Sequence, residues 1–259
     1  MDKWQNFLAI NKCFEKIIAK TFGLSRIRIK IIKQINTYQE FVKCYLDYQR
    51  NILPVNNHHI EIFSRIYYWY IKVISQELNT AACGISIHDA GTCAGILPLM
   101  LCGLNEAELM GVKISKVIAS DLKYWRAWFI INSVIKRNKG LFKPLRIIKL
   151  DCTKQLEKAP ETDVVILTDV LEHFGNEDIA KSIVKGFWAK TKKLLLIHVP
   201  LEPVPNIAVG HYLTFNADKI RDWASELKDG AFLSDKYYEL DNQSLTHYGY
   251  LIVSRISRI

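Results

Sequence analysis

A short loop with an acid at its start and two glycines follows an apolar run near residue 85. The loop extends from Asp89 through Gly91 to Gly95, and a helical pattern begins directly after it. Glycines at a strand-to-helix turn let the backbone approach a ligand closely, and the N–H groups of the helix N-terminus remain available to that ligand. The segment therefore predicts a binding loop for a nucleotide-like molecule.

Further acids follow the next three strand-like runs. The residues at these three places are Asp121 with Leu122, Asp151 with Cys152, and the segment from Asp169 through Glu172 and His173 to Phe174. An acid after the second strand can accept hydrogen bonds from both hydroxyls of a ribose. Because the carboxyl ends of parallel strands meet at one edge of a sheet, we expect all these side chains at a single ligand-binding edge.

The elements that position these residues alternate along the chain from residue 84 onward. Strands are predicted at Ile85–His88, Lys116–Ser120, Arg146–Leu150, Val164–Thr168, Leu194–Val199, Phe232–Leu240 and Gly249–Ser254, and helices at about Gly95–Leu109, Trp125–Asn138, Glu177–Thr191 and Ala217–Leu227. This alternation predicts an α/β fold, a Rossmann-like, seven-stranded and mainly parallel sheet with helices on both faces.

The loop and the acids, in this order, resemble the class I S-adenosylmethionine-dependent methyltransferases over roughly residues 80–255. The resemblance implies that Gly91, Cys93 and Gly95 lie against the methionine part of the cofactor. It implies that Asp121 holds the ribose and that Asp151 approaches the adenine amine. The cofactor is then S-adenosylmethionine and the product S-adenosylhomocysteine. The remaining predicted cofactor-binding residues are Asp89, Leu122, Cys152 and Asp169.

Two features test this resemblance against its competitors. The dinucleotide fingerprint of NAD enzymes does not require an acid before its glycines, so Asp89 favours the methyltransferase interpretation. However, the family pattern D-x-G-x-G-x-G has glycine where this chain has Cys93. A small side chain fits there if φ is negative, although its Cβ narrows the approach to the cofactor. A catalytically silent cofactor-binding partner protein therefore stays open as an alternative.

Histidines supply the candidates for a catalytic base. His198 ends the fifth predicted strand, facing the expected substrate cavity, and His173 and His211 are further candidates. The set Asp169, Glu172, His173 and His211 also resembles the metal-binding arrangement of the ubiquinone-pathway O-methyltransferases and the small-RNA 3′-end 2′-O-methyltransferases. In this chain the first acid of the set, Asp169, is Asp where those families have Glu. In metal-free members of the class, Glu172 and His173 simply begin the next helix, so we expect no metal.

Residues 1–80 have a different texture and are predicted to form a helical cap, with residues 81–259 as the methyltransferase domain. Helices before the first strand cover the substrate in this class. Tyr67, Tyr68 and Tyr70, with His198 across the cavity, are therefore the predicted substrate contacts. This aromatic lid favours a small molecule or short peptide, of the metabolite or natural-product type. An RNA substrate with metal-assisted 2′-O-methylation is the alternative.

Composition sets the outer limits. The chain has 259 residues with 35 Lys and Arg against 26 Asp and Glu, a net charge of +9. A basic stretch at Arg26, Arg28, Lys30 and Lys33 is compatible with RNA, but a basic solvated face is the more frequent explanation. The six cysteines form no Cys-x-x-Cys pair and no apolar run reaches the roughly 18 residues of a membrane span. We expect a cytoplasmic protein without a membrane span.

Overall fold

The computed structural model describes residues 70–71, 73–78, 84–93, 95–102, 112–125, 127–128, 131–132, 135, 144–202, 205, 210–227, 231–239 and 247–254. Nearly all of them belong to one compact unit, made of residues 61–131 and 140–259. The predicted cap up to residue 69, including Tyr67, Tyr68 and the basic stretch, lies outside the described residues. The division into cap and catalytic domain stays a prediction.

One sheet organises the described part of the chain. Its strands are β1 (Ile85–Ala90), β2 (Ile114–Asp121), β3 (Leu145–Lys149), β4 (Thr162–Thr168), β5 (Thr191–Leu201), β6 (Ala231–Glu239) and β7 (His247–Ser254), in the order β3-β2-β1-β4-β5-β7-β6. Strands β1 to β5 are parallel, which confirms the predicted α/β sheet. Strand β7 pairs antiparallel with β5, and β6 pairs antiparallel with β7.

The described helices alternate with the strands. Their bounds are α1 (Ile96–Cys102), α2 (Glu177–Lys190) and α3 (Ala217–Ser225), and residues 70–77 and 125–135 are helical wherever they are described. No helix in these described segments is long and apolar enough to cross a membrane. Helix α2 lies between the parallel strands β4 and β5, and α3 lies between β5 and β6.

The helix after β4 begins at Glu177, as the sequence predicts. Glu172 and His173, which the resemblance to metal-free members of the class placed at the start of this helix, lie in a separate 3-10 turn, Leu171–His173. The side chain of Asn176 caps α2 by accepting hydrogen bonds from the N–H groups of Asp178 and Ile179, at 2.7 and 3.2 Å. An asparagine cap followed by acids in the first turn is a stronger helix start than an acid in an apolar turn.

The sheet is buried on both faces at its centre. Val164 to Leu167 in β4 and Leu194 to Ile197 in β5 are all buried, as expected of parallel strands covered by helices. One face packs on α2 and α3 through a cluster that includes Phe187 and Trp223. At the carboxyl end of β4, the hydroxyl of Tyr70 and Oγ1 of Thr168 share a hydrogen bond of 2.7 Å. This contact attaches helical residues 70–77 to the carboxyl end of the sheet.

Candidate functional site

The sheet reverses its strand order between β1 and β4, and the predicted site residues meet there. Strands β2 and β3 lie to one side of β1, whereas β4 and β5 lie to the other. In open α/β sheets ligands bind in the crevice beyond the carboxyl ends of the strands at such a switch point. The loops after β1 and β4 therefore form the floor of the candidate site.

The loop after β1 takes three left-handed residues. Its φ angles are 78° at Gly91, 50° at Cys93 and 77° at Gly95. The condition of a negative φ at Cys93 is not met, since this residue adopts a left-handed conformation that favours glycine. A Cβ on Gly91 would lie 2.4 Å from Cγ2 of Val170, just after β4. The loop is thus held against the adjacent segment by a contact that only glycine permits.

Asp121 fastens this loop to the end of β2. Its Oδ2 accepts a hydrogen bond from the N–H of Cys93 at 2.9 Å, and its Oδ1 accepts one from the N–H of Lys123 at 2.6 Å. The N–H groups of Gly91 and Thr92 donate to the carbonyl of Ser120 at 2.8 and 3.0 Å. The carboxylate is therefore oriented before any ligand arrives, and each oxygen keeps a second acceptor position.

The other predicted acids of this half differ in exposure. Asp89 is buried, and burial raises its pKa to about 7. Asp151 lies in the loop after β3, where a hydrogen bond from the hydroxyl of Thr153 lowers its pKa. Burial raises the pKa of the Cys152 thiol to about 11, so this thiol is not a nucleophile at neutral pH. Leu122 is exposed, at 54% of its surface, beside Asp121. These residues lie after β1, β2 and β3 as the resemblance implies.

Asp169 and His198 form a pair between the ends of β4 and β5. Nδ1 of His198 donates to Oδ1 of Asp169 at 2.6 Å, and the N–H of Asp169 donates to the carbonyl of His198 at 3.1 Å. The His198 side chain is fully buried, whereas that of Asp169 keeps 31% exposure. The φ of Asp169 is 51°, an uncommon value that the double contact maintains. Asp169 is thus the member of the pair that ligands can reach.

A second cluster lies beyond this pair. A carboxylate oxygen of Glu172 and ring nitrogens of His173 and His211 lie within 4.8 Å of one another. Glu172 is fully buried, and neither of its carboxylate oxygens has a hydrogen-bond partner among the residues that the structure describes. Burial, reinforced by the charge of Asp169, raises the pKa of Glu172 well above its ordinary value. One carboxylate and two imidazoles are a donor set that fits a divalent metal ion.

The structure separates the four residues that the sequence grouped as the alternative metal set. Glu172, His173 and His211 come together, but the carboxylate of Asp169 is committed to His198. Sequence reasoning missed Glu202, a buried acid whose Oε1 accepts from Nδ1 of His211 at 2.9 Å. Glu202 could have been found from its position one residue after β5, at the same sheet edge as the other acids. Val170 was also missed, because nothing local reveals its contact with Gly91.

The residues predicted to contact the substrate differ in where the structure places them. Tyr67 and Tyr68 lie outside the described residues. Tyr70 is fully buried, with its hydroxyl on Thr168, and so lies beneath the edge rather than on its surface. Thr168 and His198 occupy paired positions on β4 and β5. At the ends of β4 and β5, Asp169 is therefore partly exposed, whereas Tyr70 and His198 are fully buried.

Solved structures share this architecture at low sequence identity. Magnesium protoporphyrin IX methyltransferase from Synechocystis PCC 6803, solved with bound S-adenosylmethionine, has 15% identity and a TM-score of 0.53, covering 95% of this chain and 97% of its own. The small RNA methyltransferase HEN1 has 16% identity and a TM-score of 0.57, and the match covers 75% of this chain but 25% of HEN1. The N-methyltransferase NodS from Bradyrhizobium japonicum WM9 has 11% identity and a TM-score of 0.50, covering 74% of this chain and 96% of NodS.

No protein-family model matches the sequence, and no curated protein matches it significantly. The agreement with known proteins is therefore one of fold. The strand order, the loop after β1 and the full-length match to a cofactor-bound methyltransferase agree with one another. This chain has the fold of the class I S-adenosylmethionine-dependent methyltransferases.

Proposed function

We propose that this protein is an S-adenosylmethionine-dependent methyltransferase that acts on a small molecule or short peptide, of the metabolite or natural-product type. The observation that carries the proposal is the hydrogen bond from the N–H of Cys93, in the loop after β1, to Asp121 at the switch point of the sheet. Each carboxylate oxygen of Asp121 keeps a further acceptor position, which suits ribose hydroxyls. Residues 1–80 are proposed as the helical cap over this crevice, in a cytoplasmic protein.

The described residues have separable roles in this proposal. When bound, the cofactor supplies a sulfonium methyl group, and displacement by the acceptor's lone pair leaves the bonding electrons on sulfur. The loop from Gly91 to Gly95 positions the methionine part, and Asp121, Leu122 and Asp151 position the nucleoside. Asp169 takes the acceptor's proton where one must leave. His198 holds the Asp169 carboxylate from behind through the 2.6 Å hydrogen bond.

One solved structure supports a small acceptor. The magnesium protoporphyrin IX methyltransferase matches this chain over 95% of its length, so the whole chain is compatible with a fold that serves a small molecule. At the edge of the sheet, the partly exposed carboxylate of Asp169 lies beside fully buried His198 and half-buried Thr168, so it is a polar group that such an acceptor can reach.

Titration calorimetry with S-adenosylmethionine and S-adenosylhomocysteine tests the cofactor half of the proposal. We expect dissociation constants in the micromolar range that do not change with EDTA, because the loop and Asp121 bind the cofactor without a metal. Absence of binding would contradict the proposal and leave the silent-partner alternative. Asp163→Asn, at the opposite end of the sheet, is the control, because Asp163 pairs with Ser86 and Lys193 far from the crevice edge.

Methyl transfer from isotopically labelled cofactor tests the acceptor half. The purified protein is incubated with a low-molecular-mass extract and, separately, with total small RNA. We expect label in the low-molecular-mass reaction, unchanged by ribonuclease. Label in RNA that ribonuclease releases would overturn the small-acceptor proposal while keeping the methyltransferase activity.

Metal-assisted 2′-O-methylation of RNA is the second candidate, and one observation favours it. Glu172, His173 and His211 form a compact donor set beside the crevice, with the orphaned Glu172 carboxylate at its buried end. A divalent ion there would polarise an acceptor hydroxyl. The same labelling experiment with EDTA and with added Mn²⁺ distinguishes the candidates, because only this one requires both RNA and the ion.

A further inference from the structure

Glu202 is a buried acid with no role in the proposed methyl transfer. It follows β5 directly and keeps only 4% of its surface exposed. Its Oε1 accepts the hydrogen bond from Nδ1 of His211 at 2.9 Å, and its Oε2 is buried with no hydrogen-bond partner in the described part of the chain. Removing a carboxylate from water is costly unless it holds a partner in place, so a specific task for this residue is expected.

Both histidines of the neighbouring cluster are held through the same ring nitrogen. Nδ1 of His173 donates to the carbonyl of Gly210 at 2.9 Å, and Nδ1 of His211 donates to Glu202. A carbonyl oxygen and an ionised carboxylate only accept, so each Nδ1 carries a proton, and each ring, when neutral, has its lone pair on Nε2. The rings are perpendicular neighbours, with centroids 5.0 Å apart.

Glu172 completes this cluster from the buried side. Its Oε1 lies 4.0 Å from Nε2 of His173, which is beyond hydrogen-bond distance, and a side-chain rotation that brings the two atoms to about 3.4 Å would place them as tetrahedral ligands of one ion. The carbonyl of Glu172 accepts hydrogen bonds from the N–H groups of Tyr212 and Leu213, at 2.8 and 3.1 Å. The backbone thereby ties the turn after β4 to the segment that carries His211. The two ligand-bearing segments are held together independently of the side chains.

We propose that Glu202 is the positioning residue of a divalent transition-metal site whose ligands are Glu172, His173 and His211, and that Asp169 is not a ligand. Metal-binding histidines regularly donate their other ring N–H to a carboxylate or carbonyl, which fixes the tautomer and strengthens the ligand. Glu202 and the Gly210 carbonyl serve the two histidines in this way. Two imidazoles and one carboxylate suit Mn²⁺, Fe²⁺, Co²⁺ or Zn²⁺ better than Mg²⁺. The inference rests on the proposed function, because an ion here would act on the methyl acceptor.

Calorimetry with Co²⁺ alone is the first test, with the visible absorption of bound Co²⁺ as a second readout of imidazole ligation. The wild-type protein is expected to bind one ion, and Glu202→Gln is expected to weaken binding by about 10- to 100-fold. Asp169→Asn is expected to bind Co²⁺ as the wild type does. Glu157→Gln, an exposed acid on the turn Leu156–Lys158, is the control for loss of one negative charge.

The tautomer of His211 in the metal-free wild type is the direct test of the positioning role. Long-range ¹H–¹⁵N correlation spectra are expected to show protonated Nδ1 and unprotonated Nε2, and Glu202→Gln is expected to shift the ring toward the Nε2-protonated tautomer. This wild-type measurement also decides the matter if Glu202→Gln does not fold.

Two results would overturn the proposal: a wild-type protein that binds no Co²⁺, or a His211 ring protonated on Nε2. Unchanged Co²⁺ affinity in folded Glu202→Gln would remove Glu202 from the site. S-adenosylhomocysteine binding is measured on the same samples. Its loss in the wild type contradicts the proposed function, whereas its retention without Co²⁺ binding contradicts only this inference.

Discussion

The carboxylates after β2 and β3 and those after β4 and β5 lie along one sheet edge but in different surroundings. Asp121 and Asp151 accept hydrogen bonds from backbone N–H groups. By contrast, Glu172 is buried and neither of its oxygens is hydrogen-bonded to a described residue, and the same holds for one oxygen of Glu202. Buried acceptors without partners are rare in folded proteins. In the first region, which we call the completed region, the carboxylates already have hydrogen-bond partners before a ligand arrives. In the second region, carboxylate oxygens are left that could bind an ion.

This difference indicates that the two regions suit different kinds of ligand. Carboxylates held by amides remain ionised and fixed, which suits recognition of neutral hydroxyl and amine groups. Carboxylates withdrawn from water without partners are destabilised, unless a cation joins them. The contact between Gly91 and Val170 joins the loop after β1 to the segment after β4, and so couples the two regions.

Gly91→Ala breaks that junction and should have the largest effect. The new Cβ would lie 2.4 Å from a branched, stiff Val170 side chain, at a φ of 78° that alanine avoids. The left-handed strain and the overpacking together should lower the free energy of unfolding by about 2 to 4 kcal/mol, measured by urea denaturation. Combining it with Val170→Ala should recover the overpacking part. Equal stability of the single and double variants would show that the junction contributes nothing.

Asp121→Ala tests the completed region. Loss of hydrogen bonds to a charged group should weaken S-adenosylhomocysteine binding by about 1.5 to 3 kcal/mol, or roughly 10- to 150-fold, by calorimetry. The N–H of Cys93 also loses its acceptor, so the loop is less well held. Asp121→Asn keeps one acceptor oxygen and should lose less. Unchanged affinity in Asp121→Ala would exclude this residue from the cofactor site.

A buried histidine next to Asp89, His88, should make the stability of the protein depend on pH. His88 is fully buried with Nε2 on Oγ of Ser120 at 2.7 Å, and burial lowers its pKa from 6.5 to about 4. The unfolded chain therefore binds this proton first as the pH falls, so stability is complete above about pH 6.5 and declines toward pH 4. The slope is up to about 1.4 kcal/mol per pH unit.

His88→Gln isolates this contribution, because the raised pKa of Asp89 has the opposite sign. Burial favours the protonated form of Asp89, so its effect lowers stability as the pH rises toward 7. The difference in unfolding free energy between wild type and His88→Gln cancels that effect. It should change between pH 6.5 and 4 and be flat above pH 7. A flat difference throughout would mean that His88 keeps its ordinary pKa when folded.

Local sequence patterns predicted the first region better than the second. The strand, loop, helix and following acid are contiguous signals, so Asp89, Gly91, Asp121 and Asp151 could be assigned to one edge before any coordinates were known. The pairing of Glu202 with His211, and of Asp169 with His198, depends on how the segments after β4 and β5 close over each other. No periodicity encodes such closure. The 3-10 turn at Leu171–His173 is likewise not encoded by any periodicity, whereas the cap at Asn176 marks the start of α2.

Cys93 occupies the place of the middle glycine in the methyltransferase pattern D-x-G-x-G-x-G, and Cys93→Gly measures the effect of this difference on stability. At a φ of 50° glycine avoids a left-handed strain of about 1 to 2 kcal/mol, while its unfolded chain gains entropy worth about 0.5 to 1 kcal/mol. The variant should therefore be more stable by about 0.5 kcal/mol in urea denaturation. Thr92→Gly is the matched control, because Thr92 is not among the residues of positive φ and should lose stability. If both variants lose stability equally, Cys93 is not strained. A gain in S-adenosylhomocysteine affinity for Cys93→Gly alone would show that its side chain, rather than its backbone, limits the approach of the cofactor.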